Sequence, residues 1–339
     1  MQYRRLGATD VNISEIGFGC GGNAGLMLRG SPREQTAVVA RALELGINYF
    51  DNAPDYGNGV AEENLGRVLR ELKHRPLLNS KVEVRAENLG DIADHVVRST
   101  EASLKRLGVD TLDVLQIHNG PAAERPNLEG PVYTQLWIED YLRPGGAIEG
   151  LQRLLKDGKT RHVGFICRGE DGAEVRRLLD TRLFSIINTP YTLLNPTAGM
   201  AKPQGLEAGR DFGDVLTAAK ERGAGAAIYS PLAGGFLTDA AIAGEERHAL
   251  ARKQDPQAEA ARRNRERARK LRFLADAMGM SLAQTAIRFV LMHDGVTMAL
   301  GGFSDMDQLE EIAAVSGKPP FTADDMARLD ALWRSNFGG

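Results

Sequence analysis

The sequence predicts an α/β fold of the (β/α)₈ TIM-barrel type, with an N-terminal β-hairpin and extended loops at the C-terminal face of the barrel. Short runs rich in Val, Ile, Leu and Phe alternate with segments of helical periodicity, which is typical of a parallel sheet. Eight such runs are present, the number that closes a barrel. An open doubly wound sheet would carry a GxGxxG fingerprint after its first strand, and the Gly19-Cys20-Gly21-Gly22 cluster lacks that spacing.

The strands and helices follow the hairpin in regular alternation. The predicted barrel strands are Ile16–Cys20, Asn48–Asp51, Leu77–Val84, Leu112–His118, His162–Ile166, Ser185–Asn188, Gly225–Tyr229 and Val296–Leu300. A helical pattern follows each strand, and the clearest one predicts a helix over Ile92–Leu107. Val97 and Leu104 share the apolar face of that helix, and Gly108 ends it.

Three connections are longer than a barrel requires, namely residues 119–147, 192–213 and 234–262. In a barrel all three lie at the C-terminal ends of strands, where active sites are built. We therefore expect them to supply a substrate lid and a cofactor clamp. Because barrels with insertions commonly exceed about 250 residues, we expect residues 1–339 to form a single domain.

The charge and cysteine content favour a small-molecule partner in a reducing compartment. With a net charge of −3 and a pI near 6.1, we expect neither nucleic acid nor a membrane as a partner. No segment approaches the roughly 20 apolar residues that span a bilayer, and two cysteines are too few for a disulfide framework. These features predict a cytoplasmic protein. Residues 252–272 hold nine Lys or Arg, but Ala268 and Leu271 run through them at helical spacing, which predicts the solvated face of one amphipathic helix.

Four residues with chemically capable side chains cluster at the ends of consecutive predicted strands. Asp51 ends the second strand, Tyr56 follows it, Lys81 lies in the third strand and His118 ends the fourth. Because the C-terminal ends of barrel strands meet at the mouth, we expect these side chains to be neighbours. Lys81 interrupts an apolar run, and a buried ammonium needs a partner, for which Asp51 on the adjacent strand is the candidate.

This set of side chains suits carbonyl reduction. Hydride attack on a carbonyl carbon leaves an alkoxide that must be protonated, and a phenol with a pKa of about 10 is a weak acid near neutral pH. A cation within about 4–6 Å lowers such a pKa, so we expect Lys81 to lower the pKa of Tyr56 and Asp51 to hold Lys81 in place. Neutral His118 would hydrogen-bond the substrate oxygen and orient it.

The sequence resembles the aldo-keto reductase family over nearly the whole chain. The stretches that carry the resemblance are Tyr3-Arg4-Arg5-Leu6-Gly7, Phe50-Asp51-Asn52-Ala53-Pro54-Asp55-Tyr56-Gly57, Glu62-Glu63-Asn64-Leu65-Gly66, Ser103-Leu104-Lys105-Arg106-Leu107-Gly108, Leu115-Gln116-Ile117-His118 and Tyr229-Ser230-Pro231-Leu232. The resemblance implies a (β/α)₈ barrel and an NADPH-preferring oxidoreductase that reduces an aldehyde or ketone to an alcohol. It also implies catalytic roles for Asp51, Tyr56, Lys81 and His118, with Tyr56 as proton donor.

The same resemblance implies a nicotinamide cofactor site. The ring of Tyr229 would stack on the nicotinamide, the Ser230–Gly235 loop would back the pyrophosphate, and Gly302–Gln308 would meet the adenosine. The residues expected to bind the cofactor are Gly19, Cys20, Gly21, Cys167, Asn188, Tyr229, Ser230, Pro231, Leu232, Gly234, Gly302, Phe303, Ser304, Gln308 and Glu311.

Several positions depart from the family pattern. Cys167-Arg168 stands where a Ser-Asn pair usually holds the carboxamide, and Asn188 replaces a Gln. The Cys167 thiol is equally consistent with a plain core residue. Ser304 and Gln308 stand at the expected 2′-phosphate contacts, where neutral donors hold a phosphate less firmly than Arg. We therefore expect NADP(H), with NAD(H) also accepted and NADPH favoured by no more than about a hundredfold in kcat/KM.

Substrate contacts are expected from Trp137 and Tyr133. With Tyr141 they would form a flat apolar wall in the connection after His118, although surface packing explains these aromatic residues equally well. The substrate, the physiological direction and the oligomeric state stay open at this point. An NAD(P)-dependent sugar or alcohol dehydrogenase, working in the oxidative direction, would use the same residues.

Two further functions are less well supported. A non-enzymatic regulator that binds a nicotinamide would not need all four catalytic side chains, which are retained. A metal-dependent barrel hydrolase would find candidate ligands in His118, Asp51 and Asp113, but no HxH motif follows a strand and the six histidines are scattered. No metal site is predicted.

Overall fold

The predicted barrel is present and closed. A computed structural model describes residues 1–126, 134–169, 171–245 and 259–338. In chain order the strands are β1 (Tyr3–Arg5), β2 (Asn12–Ser14), β3 (Ile16–Gly19), β4 (Tyr49–Asp51), β5 (Leu77–Val82), β6 (Leu112–Ile117), β7 (Gly120–Ala122), β8 (Gln135–Trp137), β9 (Thr160–Ile166), β10 (Ile186–Pro190), β11 (Gly225–Tyr229) and β12 (Val296–Gly302). The barrel order is β3-β4-β5-β6-β9-β10-β11-β12, all parallel, and β12 pairs with β3 to close it.

All eight predicted barrel strands are confirmed, and their ends differ from the predicted ones by at most two residues. The prediction Leu77–Val84 runs too far, because β5 ends at Val82. The backbone N–H of Val84 instead donates to Oδ1 of Asn119 at 2.8 Å, so a side chain replaces the neighbouring strand as its partner. Such exchanges at strand ends leave no trace in a hydrophobicity pattern.

The predicted hairpin closes the bottom of the barrel. Strands β1 and β2 pair antiparallel, and both Leu6, which follows β1, and Ile13 in the middle of β2 are fully buried. These two side chains pack inside the barrel with Tyr49, Val114 and Met298. A second and larger apolar layer lies between the strands and the surrounding helices.

The helices surround the barrel. They are α1 (Leu26–Arg29), α2 (Pro32–Glu44), α3 (Val60–Leu72), α4 (Ile92–Leu107), α5 (Ile138–Leu142), α6 (Ala147–Lys156), α7 (Gly172–Asp180), α8 (Val215–Glu221), α9 (Asp239–Ile242), α10 (Glu259–Lys270), α11 (Arg272–Met278), α12 (Leu282–Met292), α13 (Met306–Ala313) and α14 (Ala323–Arg334). The bounds predicted for α4 are confirmed, and Gly108 ends it at φ 72°. Its buried face carries Val96 rather than Val97, beside Thr100 and Leu104.

The basic segment does not form one continuous helix as predicted, although Ala268 and Leu271 are fully buried as its helical spacing indicates; residues 252–258 of the segment lie outside the described residues. The helical segment is divided at Leu271 into α10 and α11. The basic residues of α10 are also not all solvated, because Arg267 is 7% exposed. Its guanidinium donates to the carbonyl of Glu207 at 3.0 Å and to Oδ1 of Asn336 at 2.5 Å, and Lys270 donates to the carbonyl of Phe337. These side chains tie the end of the chain to the barrel.

The three long connections leave the C-terminal ends of β6, β10 and β11, as predicted. The first of them contains β7, β8 and α5, with β7 and β8 paired in parallel.

No helix in the described part of the chain is both long enough and apolar enough to cross a bilayer.

Close packing inside the barrel makes a specific prediction at Gly164 of β9. A Cβ there would lie 2.4 Å from the carbonyl oxygen of Ile186, so Gly164→Ala should lower the stability by about 1–3 kcal/mol through overpacking. At exposed Gly90 a Cβ meets nothing within 4 Å, so Gly90→Ala is the matched control. Thermal unfolding should show a melting temperature several degrees lower for Gly164→Ala alone. Equal melting temperatures for the two variants would contradict this packing.

Candidate active site

Side chains that point into the barrel form layers, because alternate residues of a strand face the same side. The lower layer is apolar and includes Tyr49 of β4 and Val114 of β6. Two residues further along the same strands stand Asp51 and Gln116, both buried. The barrel interior thus changes from apolar to polar towards its C-terminal mouth.

The polar layer is a closed ring of four hydrogen-bonded side chains. Nδ2 of Asn79 donates to Oδ2 of Asp51 at 2.8 Å and to Oε1 of Gln116 at 3.1 Å. Nε2 of Gln116 donates to Oδ1 of Asn188 at 2.8 Å, and Nδ2 of Asn188 donates back to Oδ2 of Asp51 at 3.3 Å. Three amides therefore orient the Asp51 carboxylate and leave its other oxygen for a cation.

That cation is Lys81, whose side chain is 2% exposed. Its Nζ lies 2.5 Å from Oδ1 of Asp51, 2.8 Å from the carbonyl oxygen of Asn52 and 3.2 Å from Oη of Tyr56. An ammonium has three N–H donors, and these three contacts use all of them. The ion pair between Lys81 and Asp51 that the sequence predicts is confirmed, and Tyr56 is joined to it.

The prediction that the pKa of Tyr56 is lowered below its ordinary value is wrong. Burial raises the pKa of Tyr56 to about 12, because removal from water disfavours the phenolate more than the nearby Lys81 ammonium stabilises it. Lys81 acts in the predicted sense but is outweighed. Burial would lower the pKa of Lys81, yet Asp51 and Tyr56 together raise it above its ordinary value, so the ammonium stays charged.

His118 stands beside this cluster and contacts a second carboxylate. Its Nδ1 lies 3.2 Å from Oδ1 of Asp55, and its ring meets the Tyr56 ring edge-on with centroids 6.0 Å apart. Burial lowers the pKa of His118 to about 4, helped by the charges of Lys81 and Arg168 and opposed by Asp55. His118 is therefore a neutral imidazole near neutral pH.

Asp55, Glu83 and His118 offer three potential metal-ligand atoms within 4.8 Å of one another. Each acid already has a cationic or N–H partner, since Asp55 accepts from His118 and Glu83 lies 3.6 Å from Arg85. Arg168 adds a further positive charge that acts on both acids. These neighbours oppose the binding of a divalent cation.

The ligand set considered for a metal hydrolase is not assembled. Asp113 lies near the beginning of β6, where it pairs with Arg75 at 2.7 Å and Arg161 at 2.9 Å. His118 follows the other end of the same strand, at the mouth of the barrel. The two side chains therefore lie at opposite ends of the barrel wall.

A cavity of about 460 Å³ opens above the polar layer. Asp51, Tyr56, Lys81 and His118 all line it. The residues predicted to bind the cofactor that also line it are Gly19, Gly21, Asn188, Tyr229, Ser230, Pro231, Leu232, Gly234 and Gly302. The catalytic candidates and the larger part of the cofactor candidates therefore share one cavity.

Other predicted cofactor residues do not line this cavity. Cys20 and Cys167 are at most 2% exposed and pack in the apolar core, where burial raises the pKa of each thiol. Phe303 is 1% exposed and packs against Phe18. Glu311 accepts a hydrogen bond from the Ser281 hydroxyl at 2.5 Å. Ser304 lies in the loop beyond Gly302, and Gln308 lies in the first turn of α13.

The predicted aromatic wall is not formed as expected. Tyr141 is fully buried and donates to the carbonyl of Asn119 at 2.5 Å, so it belongs to the core. The indole of Trp137 donates to the carbonyl of Ala123 at 3.1 Å, Arg125 covers its ring, and Trp137 does not line the cavity. Tyr133 lies outside the described residues.

Several residues of the site escaped the sequence analysis. In the predicted strands Asn79 lies two residues before Lys81, and Gln116 lies two residues before His118. Because alternate residues of a strand face the same side, this spacing could have shown that Asn79 and Gln116 point into the barrel, where both are buried. Asp55 directly precedes Tyr56 and lines the cavity, but no local pattern connects it to His118. Only the fold brings the two loops together.

Comparison with known proteins assigns the family. The sequence model described as "Aldo/keto reductase family" matches residues 15–334. The chain belongs to the aldo/keto reductase family. The chain is thus an oxidoreductase that depends on a nicotinamide cofactor, as the reductases of this family are.

Individual relatives of this reductase are distant but match almost its full length. L-glyceraldehyde 3-phosphate reductase of Escherichia coli (strain K12) is 25% identical over 349 residues, covering 97% of this chain and 92% of that protein. L-galactose dehydrogenase of Arabidopsis thaliana is 26% identical over 322 residues, covering 93% and 88%. A solved aldo-keto reductase from Bacillus halodurans, in its holo form, covers 98% of this chain and 96% of its own with a TM-score of 0.70 and 22% identity, and shares the fold.

The buried pair of this reductase generates a stability prediction. Asp51→Asn leaves the Lys81 ammonium without a carboxylate and should lower the free energy of unfolding by about 3–5 kcal/mol. The double variant Asp51→Asn with Lys81→Met removes the stranded charge and should recover most of that loss. Urea unfolding of the two single variants and the double variant measures the coupling. If the losses simply add, the two residues do not form the pair described here.

Proposed function

We propose that this reductase converts an aldehyde or ketone to an alcohol by hydride transfer from NADPH, with Tyr56 as the proton donor. One observation carries the proposal. Tyr56 lines the cavity, its hydroxyl lies 3.2 Å from the Lys81 ammonium, and the His118 ring stands beside it. Proton donor, charge-stabilising cation and a group to orient the substrate oxygen therefore border one space.

The residues around the cavity fit a nicotinamide dinucleotide. The Ser230–Gly235 turn has left-handed backbone at Ser230, Ala233, Gly234 and Gly235, and a Cβ at Gly234 would meet nothing within 4 Å. Backbone in that conformation leaves room for a ligand to approach closely. We assign this turn to the pyrophosphate, the Tyr229 ring to the nicotinamide and Gly302 to the adenosine side. The bound cofactor would supply the hydride that reaches the carbonyl carbon.

The protein's part in the reaction is to hold and move a proton. With a pKa near 12, the Tyr56 phenol is protonated at neutral pH and can donate a hydrogen bond to the carbonyl oxygen. An alkoxide is a much stronger base than a phenolate, so the proton passes from Oη of Tyr56 to the nascent alkoxide. The Lys81 ammonium then stabilises the phenolate left behind, and Asp51 keeps that ammonium in place.

The first test is removal of the proton donor. Tyr56→Phe keeps the ring but deletes the hydroxyl, and should lower kcat by roughly 10²–10⁴ with the affinity for NADPH unchanged. Tyr49→Phe is the matched control, because the Tyr49 hydroxyl is buried below the site with no hydrogen-bond partner among the described residues. Steady-state assays and NADPH fluorescence titrations measure the two quantities. A Tyr56→Phe enzyme with wild-type kcat would remove Tyr56 from the chemistry.

The pH profile provides a second test. Reduction requires the protonated phenol, so its rate falls only as the pH rises through the pKa of Tyr56. Because burial raises that pKa to about 12, the kcat/KM for reduction should stay constant from about pH 7 to about pH 10. Lys81→Met raises the pKa further and should lose activity without introducing an alkaline limb. An alkaline limb centred near pH 8 in the wild type would contradict the assignment.

We also propose NADP(H) as the preferred cofactor, with NAD(H) accepted. The Ser304 hydroxyl donates to the carbonyl of Ala24 at 2.8 Å, and Oε1 of Gln308 accepts from the Ser304 N–H at 2.9 Å. The contact with Ala24 competes with a 2′-phosphate for the Ser304 hydroxyl, whereas the contact at Gln308 uses its amide oxygen and not the Nε2 donors that a phosphate would need. A cation is nevertheless close, because Nη2 of Arg29 lies 3.2 Å from the same Ala24 carbonyl.

Arg29 therefore provides a test of cofactor choice. Arg29→Gln should weaken NADP⁺ binding by roughly tenfold, in line with the loss of one charge-assisted contact, and leave NAD⁺ binding unchanged. Gln308→Arg should act in the opposite direction. Dissociation constants from fluorescence titration decide this independently of turnover. An equal rise in the dissociation constants of NADP⁺ and NAD⁺ in Arg29→Gln would show that Arg29 does not contact the 2′-phosphate.

A further inference from the structure

The Tyr56 hydroxyl and the Lys81 ammonium meet from two separate pieces of backbone. Tyr56 lies in the loop between β4 and α3, whereas Lys81 lies in β5. Their contact of 3.2 Å therefore depends on how that loop is held against that strand. A shift of about 1 Å would lengthen the contact beyond hydrogen-bond distance, and a misplacement of that size can lower a rate by about a hundredfold.

A buried carboxylate outside the barrel wall contacts the strand next to Lys81. Glu62, in the first turn of α3, is fully buried. Its Oε1 accepts a hydrogen bond from the hydroxyl of Ser80 at 2.5 Å, and Ser80 directly precedes Lys81 in β5. Because successive residues of a strand face opposite sides, Ser80 points out of the barrel towards α3 while Lys81 points inwards. Glu62 therefore holds β5 at the residue next to the ammonium.

The other oxygen of Glu62 is connected to the Tyr56 loop through Arg106. Nε of Arg106, in α4, donates to Oε2 of Glu62 at 2.6 Å. The aliphatic stem of Arg106 lies against the turn that follows Tyr56, since a Cβ added at Gly59 would lie 2.6 Å from Cδ of Arg106. The backbone of Gly59 is left-handed, with φ 92°, so a glycine at this position both permits the turn and leaves room for the arginine.

This bridge has no contact with the substrate space. Among the described residues that line the cavity, none of Glu62, Ser80 and Arg106 is found. Any effect of the bridge on the reaction must therefore pass through the backbone that carries Tyr56 and Lys81.

We propose that Glu62 is a positioning residue, whose two carboxylate oxygens hold β5 and the Tyr56 loop at the separation that keeps Nζ of Lys81 in contact with Oη of Tyr56. Apolar side chains can often replace a buried ion pair without loss of stability. The value of this pair lies instead in the fixed geometry that its directional bonds impose. The inference rests on the proposed function, because the contact matters to catalysis only if Tyr56 is the proton donor.

Substitution of the carboxylate tests the effect on turnover. Glu62→Gln keeps the size of the side chain but offers one accepting oxygen in place of two. It should lower kcat by roughly tenfold to a hundredfold and leave the dissociation constant of NADPH unchanged, because the cofactor does not depend on the contact between Tyr56 and Lys81.

Asp113→Asn is the matched control. Asp113 is also a buried carboxylate bound to arginines, and it also holds β5, by accepting from the Leu78 N–H at 2.8 Å. It does so at the end of the strand away from the cavity. Asp113→Asn should therefore leave kcat unchanged, and urea unfolding of both variants shows how much stability each has lost.

A double-variant cycle shows whether Glu62 acts through Tyr56. In Tyr56→Phe the hydroxyl is already absent, so adding Glu62→Gln should lower the residual kcat by less than about twofold. Ser80→Ala removes one hydrogen bond of the bridge and is the milder variant if Glu62→Gln does not fold. It should lower kcat by roughly threefold to tenfold in the wild type and not in Tyr56→Phe.

The proposal is overturned if Glu62→Gln lowers kcat by the same factor with and without the Tyr56 hydroxyl, because the substitution would then act elsewhere. A wild-type kcat in Glu62→Gln would also overturn it. So would an equal loss of kcat in Asp113→Asn and Glu62→Gln at equal loss of stability. A wild-type kcat in Tyr56→Phe would instead count against the proposed function itself.

Discussion

The active centre depends on one ammonium ion, that of Lys81, held inside the barrel. A buried unpaired charge costs several kcal/mol or more, so the surrounding residues must supply compensating contacts. Asp51 provides the counter-charge, Asn52 provides a backbone carbonyl, and Tyr56 completes the three acceptors. The ammonium therefore holds the Tyr56 hydroxyl at a defined place on the cavity wall.

The layer beneath the ion pair explains why Asp51 can serve as a fixed counter-ion. Its second oxygen is held by the amides of Asn79 and Asn188, and Gln116 closes the ring between them. Each member of this buried ring fixes the orientation of the next, although Oδ1 of Asn79 has no hydrogen-bond partner among the described residues. Because the ring holds Asp51 and Asp51 holds the Lys81 ammonium, the Tyr56 hydroxyl is also held in place. The ammonium is thus already positioned to stabilise the negative charge that develops on Tyr56 when it gives up its proton.

The sequence predicts the barrel and the central cluster because both follow from simple periodicities. Strands recur between helical patterns, and Asp51 and Lys81 stand at adjacent strand ends, so their pairing follows from topology. The direction in which the Tyr56 pKa shifts could not be predicted from the sequence. It depends on whether burial raises the pKa more than the Lys81 cation lowers it, and that comparison requires the three-dimensional structure. The contact of Asp55 with His118 joins two loops and has no local signal.

The central claim is that the Lys81 ammonium presents the Tyr56 hydroxyl to the reacting oxygen. A crystal structure of the wild-type enzyme with NADP⁺ and an alcohol product tests it most directly. We predict an alcohol oxygen within about 2.6–3.2 Å of Oη of Tyr56, with Nζ of Lys81 still in contact with that hydroxyl. An alcohol oxygen bound away from Tyr56, or a Lys81 ammonium turned from Tyr56 towards the ligand, would contradict it.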